Sequence, residues 1–473
     1  MESRRRAAVA VGLLTLVATA ARVALRARGL EGFDSVGFAQ ALHSYDLTAR
    51  TPHFPGYPVY ILVARVFSAL GFSDVDALIL PGALGSALLV PACAWTAWRL
   101  ADERAAVVAA LLTSVMSGLH LAAARPLSEG LGVVLLGVAG ALCVDAYVAR
   151  RARSAGAAGV VLGLMLGVRL AWLPAAVGLA APLVVRRVEG HALLLGGVLG
   201  VLGWAVPMTL VVGWGDLLAS AERMLTGHFT SWGGSVASED LDLPRLLAVL
   251  WGVWAHGLGG PWSGDAMTTS RAIAGAGLLL AWVLLPTARR HAGGLPLWGA
   301  CAGALAYLVV GANPDNPRHV TQLLVPLVPL LGIGLTRIRA GAVIVAGLLG
   351  LPTISVAVEQ ATVLNPAEQS ALFMATLRPS EGLRFYGWTT MRTVRARAPL
   401  VDARLVETLP AAVDDLRQHP VPARTWVFFD SRLKDKRRKD FDFTPVETFR
   451  RSPYVDPAGA AITIYRYQGE RQR

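Results

Sequence analysis

The sequence predicts a polytopic α-helical membrane protein that carries a small C-terminal α/β domain. Of its 473 residues, 54% are hydrophobic and only 16% are charged, and the mean hydropathy is +0.51. Such values are typical of chains in which many apolar segments are long enough to cross a bilayer. From about residue 358 the composition becomes charged and punctuated by proline. We therefore predict a membrane domain over 1–357 and an extracytoplasmic domain over 358–473.

The net charge of +12 does not indicate nucleic-acid binding. The arginines lie in short clusters between apolar runs, where basic residues mark cytoplasmic loops. Cys93, Cys143 and Cys301 all lie inside apolar segments, so neither a disulfide framework nor a thiolate metal site is predicted. We interpret them as small core residues.

The first apolar run covers about residues 7–25 and follows three arginines. Ala-Thr-Ala near residue 20 resembles a signal cleavage site, but the run is also long enough to span the membrane. In either case, residue 30 onward is expected outside the cytoplasm. Further spans are predicted near 76–98, 104–121, 129–149, 192–213, 271–288, 294–311, 319–336 and 340–357.

A 30-residue apolar stretch, 156–185, decides the topology. If it were one helix, the basic clusters at 186–187, 289–291 and 337–339 would lie outside. Two short helices that turn near Arg169 instead place every basic cluster inside. The sequence thus predicts about eleven transmembrane helices, with the N-terminus cytoplasmic and the C-terminus extracytoplasmic.

Two features do not fit this simple pattern. Arg22, Arg26 and Arg28 lie at the outer end of the first span, and 57–72 is apolar but cannot span without inverting everything downstream. We interpret 57–72 as an amphipathic helix on the outer surface, and 244–258 as a second one. Most polar motifs then lie outside, which favours chemistry at the outer leaflet.

The C-terminal region has strand-like runs at 383–388, 425–429 and 461–465 and a helical pattern at 404–418. These predict a small α/β domain. All the lysines lie in 434–439, which we interpret as a solvated turn, with contact to anionic head groups as the alternative.

Several motifs occur in a particular order along the membrane domain. They are Phe33-Asp-Ser-Val-Gly-Phe38, Pro52-His-Phe-Pro-Gly-Tyr-Pro58, the Ala-Arg and Glu of 123–129, Gly163-Leu-Met-Leu-Gly-Val-Arg169, and Pro-Arg-His at 317–319. This ordered set resembles the GT-C class of membrane glycosyltransferases, especially its protein O-mannosyltransferase and aminoarabinose-transferase branch. The resemblance covers about residues 7–357 and leaves the C-terminal domain outside.

The resemblance implies an enzyme that uses a polyprenyl-phosphate sugar and inverts the anomeric carbon. Such a transfer needs a base for the acceptor hydroxyl and cations for the departing phosphate. Asp34 suits the base, although it would also suit the cap of a helix that starts at Ser35. Glu31 is interpreted as a solvated acid.

Three arginines are candidates for the donor phosphate, because a guanidinium can make paired hydrogen bonds to it. Arg169 would lie below the outer surface, in a cavity or against a partner, unless it extends to lipid phosphates. Arg318 matches a Pro-Arg-Tyr-like segment of the class. Arg125 would serve equally well in a helical ion pair with Glu129.

The remaining candidates would contact substrate. His53 matches a His-Pro-Pro position of the class, and Tyr57, Glu129 and His319 complete the set, with His319 standing where the class has tyrosine. Interfacial anchoring is the alternative for the tyrosine. The outer-loop tryptophans are interpreted mainly as interfacial anchors, with stacking on a sugar as the alternative; they are Trp232, Trp251, Trp254 and Trp262.

No cofactor or metal is predicted. Asp74 and Asp76, and likewise Asp440 and Asp442, have the spacing of a metal-binding carboxylate pair, but a donor with a single phosphate has less need of one. The expected partners are a polyprenyl-phosphate sugar, membrane lipid and an unidentified acceptor, and the expected location is the bacterial inner membrane. The alternatives are a transporter or lipid-linked-sugar flippase, which would show inverted repeats and polar residues at the midplane, and an inactive scaffold.

Overall fold

A computed structural model describes most of the chain and shows a predominantly helical, multi-pass membrane protein. Six of the described helices are long and apolar enough to cross a membrane, or seven if one bent pair counts as a single span. The described residues are 2–231, 235–237, 241–259, 268–284, 292–314, 316–338, 340–377, 382–387, 390–406, 408–422, 425–431, 433, 441–455 and 460–470.

The chain divides into two compact units. The first contains Met1–Arg26 and Gln40–Val358, and the second contains Ala27–Ala39 and Glu359–Arg473. The short segment Ala27–Ala39 therefore packs with residues more than 300 positions later in the chain. Composition alone does not predict this grouping.

The helices of the first unit include every candidate span. Their bounds are α1 Glu2–Ala24, α2 Phe33–His43 (which begins within Ala27–Ala39), α3 Pro58–Ala69, α4 Asp74–Leu100, α5 Glu103–Val115, α6 Ser117–Ala123, α7 Glu129–Ala149, α8 Ala152–Leu166, α9 Leu173–Val184, α10 Arg187–Val212, α11 Trp214–Thr226, α12 Leu243–Trp251, α13 Thr268–Leu284, α14 Leu295–Val310, α15 Thr321–Leu335 and α16 Gly341–Thr362.

The predicted break in the apolar stretch 156–185 is present. Helix α8 ends at Leu166, a short 3-10 turn covers Leu170–Trp172, and α9 follows with Pro174 in its first turn. Proline is favoured there because its missing N–H has no helical partner in any case. Arg169 lies at this break in extended conformation.

The predicted single span 104–121 is wrong in detail. Helices α5 and α6 are separate and bent by 62°, because Met116 adopts an extended conformation between them. Met116 itself is neither proline nor glycine, and the nearby sequence signal for a bend is the Ser117-Gly118 pair that follows it.

Arg22 is buried inside the first unit. Its Nη1 donates to Ser86 Oγ at 2.7 Å, and its Nη2 donates to the Thr113 carbonyl at 2.6 Å. These hydrogen bonds compensate for the cost of burying a charged guanidinium among apolar helices. The presence of Arg22 in the last turn of α1 is thus explained by internal hydrogen bonding.

Glycine allows some helices of the first unit to pack at backbone distance. A Cβ on Gly178 of α9 would lie 2.0 Å from the backbone oxygen of Gly299 in α14. Small residues at helix interfaces permit such close approach in membranes, where packing replaces the hydrophobic effect between helices. Helix α9, which positions one side of the Arg169 break, is held by this contact.

The second unit contains a five-stranded mixed sheet. Its elements are α17 Pro366–Thr376, β1 Leu383–Gly387, α18 Met391–Arg397, β2 Asp402–Leu405, α19 Leu409–Gln418, β3 Trp426–Asp430, β4 Phe441–Arg450 and β5 Ala461–Glu470. The strand order is β2-β1-β3-β5-β4. Strand β1 pairs in parallel with β2 and β3, whereas β5 pairs antiparallel with β3 and β4.

The three predicted strand runs correspond to β1, β3 and β5. The helical pattern over 404–418 begins too early, because Arg404 and Leu405 belong to β2 and Thr408 caps α19 through a bond from Ala411 N. The lysine-rich segment 434–439 lies outside the described residues.

Candidate functional site

Three separate parts of the first unit bring charged side chains together. Glu129 is the first residue of α7, Arg169 lies at the α8–α9 break, and Arg318 lies in a short 3-10 turn over Pro317–Val320. All three are helix termini or breaks, where backbone groups are not fully paired within a helix and polar side chains are tolerated.

We call Glu129, Arg169 and Arg318 the arginine cluster. Arg169 Nη1 lies 2.9 Å from Glu129 Oε1, and Arg318 Nε lies 3.4 Å from the same oxygen. The side chains of Glu129 and Arg169 are only 3% and 7% exposed, whereas that of Arg318 is 25% exposed. The cluster is therefore buried on one side and accessible through Arg318.

Arg169 has further polar neighbours. Its Nη1 also donates to Ser128 Oγ at 3.1 Å, and its Nη2 lies 3.5 Å from His319 Nδ1. Its guanidinium carbon lies 5.9 Å from the centre of the Trp172 ring. Within the described part of the chain, Arg169 Nε has no hydrogen-bond acceptor.

This arrangement fits an anion better than a neutral ligand. Two guanidinium groups share one carboxylate, so the trio carries a net positive charge in surroundings from which water is largely excluded. Charge interactions are strengthened in such surroundings. An oxyanion at Arg169 and Arg318 would receive charge-assisted hydrogen bonds, the stronger class in proteins.

Tyr307 of α14 joins the site although the sequence did not indicate it. Its ring centre lies 6.1 Å from that of His319, in an edge-on arrangement. Of the predicted residues, Glu129, Arg169, Arg318 and His319 are brought together. The only sequence signal for Tyr307 is an aromatic residue near the end of an apolar helix, which is common.

Arg125 lies in the turn between α6 and α7 and is half-buried. Arg125 and Glu129 do not share a helix, because α6 ends at Ala123 and α7 begins at Glu129. Arg125 is thus a loop residue close in sequence to the cluster.

The loop before α3 holds His53 and Tyr57. Tyr57 Oη lies 2.8 Å from His53 Nε2, and the two rings meet edge to face with centres 5.0 Å apart. Gly56 has φ +89°, and a Cβ there would lie 2.3 Å from Tyr45 Oη, so only glycine fits this turn. Val59 N donates to the Gly167 carbonyl at 3.1 Å, which ties the start of α3 to the α8–α9 break.

Asp34 belongs to the second unit. Helix α2 begins at Phe33, so Asp34 lies in its first turn and is not the cap of a helix that starts at Ser35. Acidic residues are common in the first turn of a helix, where the helix dipole attracts negative charge. The side chain is partly exposed.

The interpretation of Glu31 as a solvated acid is wrong. Its side chain is only 4% exposed and forms an ion pair with Arg451 at 2.8 Å. The two residues are 420 positions apart, so no local pattern in the sequence could have indicated the pair.

Asp74 and Asp76 both engage other groups. His43 Nε2 lies 3.0 Å from each Asp74 oxygen, and Arg26 Nε donates to Asp76 Oδ1 at 2.5 Å. Asp440 lies outside the described residues, as do Trp232 and Trp262. Across the described ranges, no group of three or more His, Cys, Asp or Glu side chains is placed to hold a metal.

No protein-family model and no curated protein sequence matches this chain. Among solved structures, ArnT from Cupriavidus metallidurans bound to undecaprenyl phosphate is similar over 97% of this chain and 97% of its own. The TM-score is 0.58 and the identity 13%. The apo oligosaccharyltransferase from Archaeoglobus fulgidus is similar over 90% of this chain and 69% of its own, with TM-score 0.51 and 14% identity. At these identities the likeness shows a shared fold, which confirms the fold that the motif order implies.

Proposed function

We propose that the protein is an inverting glycosyltransferase that moves a sugar from a polyprenyl-phosphate donor to an acceptor hydroxyl at the outer face of the membrane. The observation that carries this proposal is the arginine cluster, a buried cationic site in a fold shared with ArnT, which was solved with undecaprenyl phosphate. The likeness to an oligosaccharyltransferase agrees with the same class of chemistry.

The charge change during the reaction explains why arginines suit this site. A polyprenyl-phosphate sugar is a phosphodiester with one negative charge. As the bond between the phosphate oxygen and the anomeric carbon breaks, the phosphate gains a second charge. Arg169 and Arg318 bind this developing charge more strongly than the intact donor, and such differential binding accelerates the step.

Asp34 is the proposed general base. It accepts the proton of the acceptor hydroxyl while that oxygen attacks the anomeric carbon from the side opposite the phosphate, which inverts the configuration. A carboxylate is a suitable general base for a hydroxyl when it lies within hydrogen-bond distance of it. Arg125 is proposed as a third phosphate ligand.

His53, Tyr57, Glu129 and His319 are the proposed substrate contacts. Glu129 acts on the substrate through Arg169 and Arg318, because its carboxylate binds both guanidinium groups. The half-buried His53 imidazole is the proposed contact to the sugar, and the buried Tyr57 holds it through the 2.8 Å bond between Oη and Nε2. The acceptor is a glycan, a lipid or a protein. A donor with a single phosphate has less need of a divalent metal, because the arginines supply positive charge.

The topology belongs to the same proposal. We place the protein in the bacterial inner membrane with about eleven spans, a cytoplasmic N-terminus, and the domain 358–473 outside. The helix within 57–72 and the segment 244–258 then lie on the outer surface.

The substitution Asp34→Asn tests the proposal. Purified wild type, supplied with a radiolabelled polyprenyl-phosphate sugar and a membrane extract as acceptor, should transfer label, and Asp34→Asn should not. Both proteins should show the same thermal unfolding in detergent. Full transfer by the variant would exclude Asp34 as the base, and movement of intact donor across vesicles without transfer would favour a flippase.

A further inference from the structure

The second unit holds the segment Ala27–Ala39 through a buried forked ion pair. Arg451 Nη1 donates to both carboxylate oxygens of Glu31, at 2.8 and 3.0 Å, and Nη2 donates to the Gln360 carbonyl at 3.1 Å. The Arg451 and Glu31 side chains are 1% and 4% exposed. Both charged groups are thus withdrawn from water and fixed by directional bonds.

Two other contacts join the same segment to the rest of the second unit. The guanidinium carbon of Arg392 lies 3.9 Å from the centre of the Phe33 ring, within cation–π range. A Cβ on Gly29 would lie 2.9 Å from Leu364 Cδ2, so the backbone passes against that side chain. The segment is therefore held at its start, at Glu31 and at the beginning of α2.

A short turn links the ion pair to Asp34. Glu31 N donates to Ser35 Oγ at 2.6 Å, and Ser35 Oγ donates to the Gly32 carbonyl at 2.9 Å. Gly32 has φ +88°, a conformation that glycine adopts at little cost. Fixing Glu31 thereby restricts the backbone that presents Asp34 three residues later.

We propose that Arg451 is a positioning residue for catalysis, which acts through Glu31 to fix the first turn of α2 and with it the Asp34 carboxylate. The inference rests on the proposed function, in which Asp34 is the base. A whole buried pair of this kind contributes little net stability, because desolvation opposes the attraction, although removing one partner alone strands a buried charge and destabilises the fold. Its main effect is geometric, and a base must be held within hydrogen-bond distance of the attacking hydroxyl.

The test compares Arg451→Ala and Arg451→Lys in the full chain in detergent, with Arg404→Ala as the matched control. Arg404 also forms an arginine–carboxylate pair in the second unit, with Asp402 on β2 at 2.9 Å. Its ion pairs in the described part of the chain are with Asp402 and Asp415, not with Ala27–Ala39. Hydrogen exchange over 27–39 is measured by mass spectrometry, and kcat and donor KM are measured by transfer of label.

With Arg451→Ala, exchange over 27–39 should accelerate and kcat should fall by roughly 10- to 100-fold, the loss typical of a misplaced reacting group. Donor KM should stay near the wild-type value, because the arginine cluster is unchanged. Arg451→Lys should recover part of kcat, since it keeps the charge but not the fork. Arg404→Ala should leave both measurements unchanged.

Unchanged exchange over 27–39, or faster exchange with unchanged kcat, would overturn the inference. A fall in kcat equal to that of Arg404→Ala would also overturn it. If Arg451→Ala does not accumulate, hydrogen exchange and kcat are measured for Glu31→Gln instead, which removes the carboxylate charge but keeps a side chain of nearly the same size. Full activity of Asp34→Asn would refute the proposed base, whereas the exchange result would still report whether Arg451 holds the segment.

Discussion

Replacement of Arg169 by alanine tests whether the arginine cluster serves only the stability of the protein or also the binding of the donor phosphate. The change removes the 2.9 Å contact to Glu129 and the bond to Ser128. In the wild-type protein Glu129 is 3% exposed, and its other cationic partner is Arg318, whose Nε lies 3.4 Å from Oε1. The variant therefore loses a proposed phosphate ligand and also leaves a buried carboxylate poorly compensated.

Two magnitudes follow. Removing one partner of a buried ion pair costs about 3–5 kcal/mol of stability. A hydrogen bond to a charged group contributes about 1.5–3 kcal/mol, and at 1.4 kcal/mol per tenfold the donor KM should rise by about 10- to 150-fold. The double variant Arg169→Ala, Glu129→Ala removes the stranded carboxylate, so it should regain much of the stability but none of the donor affinity.

Stability can be read from the reaction of a thiol dye with Cys93, Cys143 and Cys301 on heating, because all three are buried in the folded protein. Donor KM is measured by transfer of label. Arg99→Ala is the matched control, since Arg99 pairs with Asp145 at 3.2 Å. Asp145 is 16 residues after Glu129 on α7, which is about 24 Å along a helix.

Arg99→Ala should lower stability without changing donor KM. The reasoning would be refuted if Arg169→Ala left donor KM unchanged, or if the double variant recovered donor KM together with stability. In the second case Arg169 would serve the fold alone.

Three further outcomes are expected. Arg318→Ala should lower stability by less than about 1 kcal/mol, because Arg318 is more exposed than Arg169, but should still raise donor KM in the transfer assay. Gly178→Val should prevent accumulation of folded protein on size-exclusion chromatography, whereas Gly203→Ala should not, because nothing lies within 4 Å of a Cβ at Gly203. A cysteine introduced at Leu400, which is 98% exposed, should react with an impermeant reagent from outside intact cells. A cysteine introduced at Arg153 should react only after permeabilisation. The reverse pattern of labelling would invert the proposed topology.

Much of the first unit could be predicted because its signals are local. The positions of the basic clusters predicted that the apolar stretch 156–185 breaks near Arg169, and the structure has two helices there. The order of motifs led to the fold. The bend at Met116 was not predicted, because Met116 is neither proline nor glycine. The bend depends on the packing around α5 and α6.

The candidate site was predicted only in part. Glu129, Arg169 and Arg318 carry their own signals, since charge is rare near apolar segments. Tyr307 and Arg451 carry none, because each gains its role from a partner far away in the chain. The prediction that Glu31 is a solvated acid was wrong for the same reason. The exposure of a side chain is a property of the folded unit, and the sequence around Glu31 does not indicate its distant partner.

The separation of Glu31 and Arg451 also has a consequence for biosynthesis. A ribosome that adds about 5–20 residues per second needs roughly 20 to 80 s to cover the 420 positions between them. During that time the Glu31 carboxylate has emerged but its guanidinium partner does not yet exist. Nascent chains that stop before Arg451 should therefore insert their helices and yet stay inactive, so transfer activity begins only once the C-terminal sheet has been made.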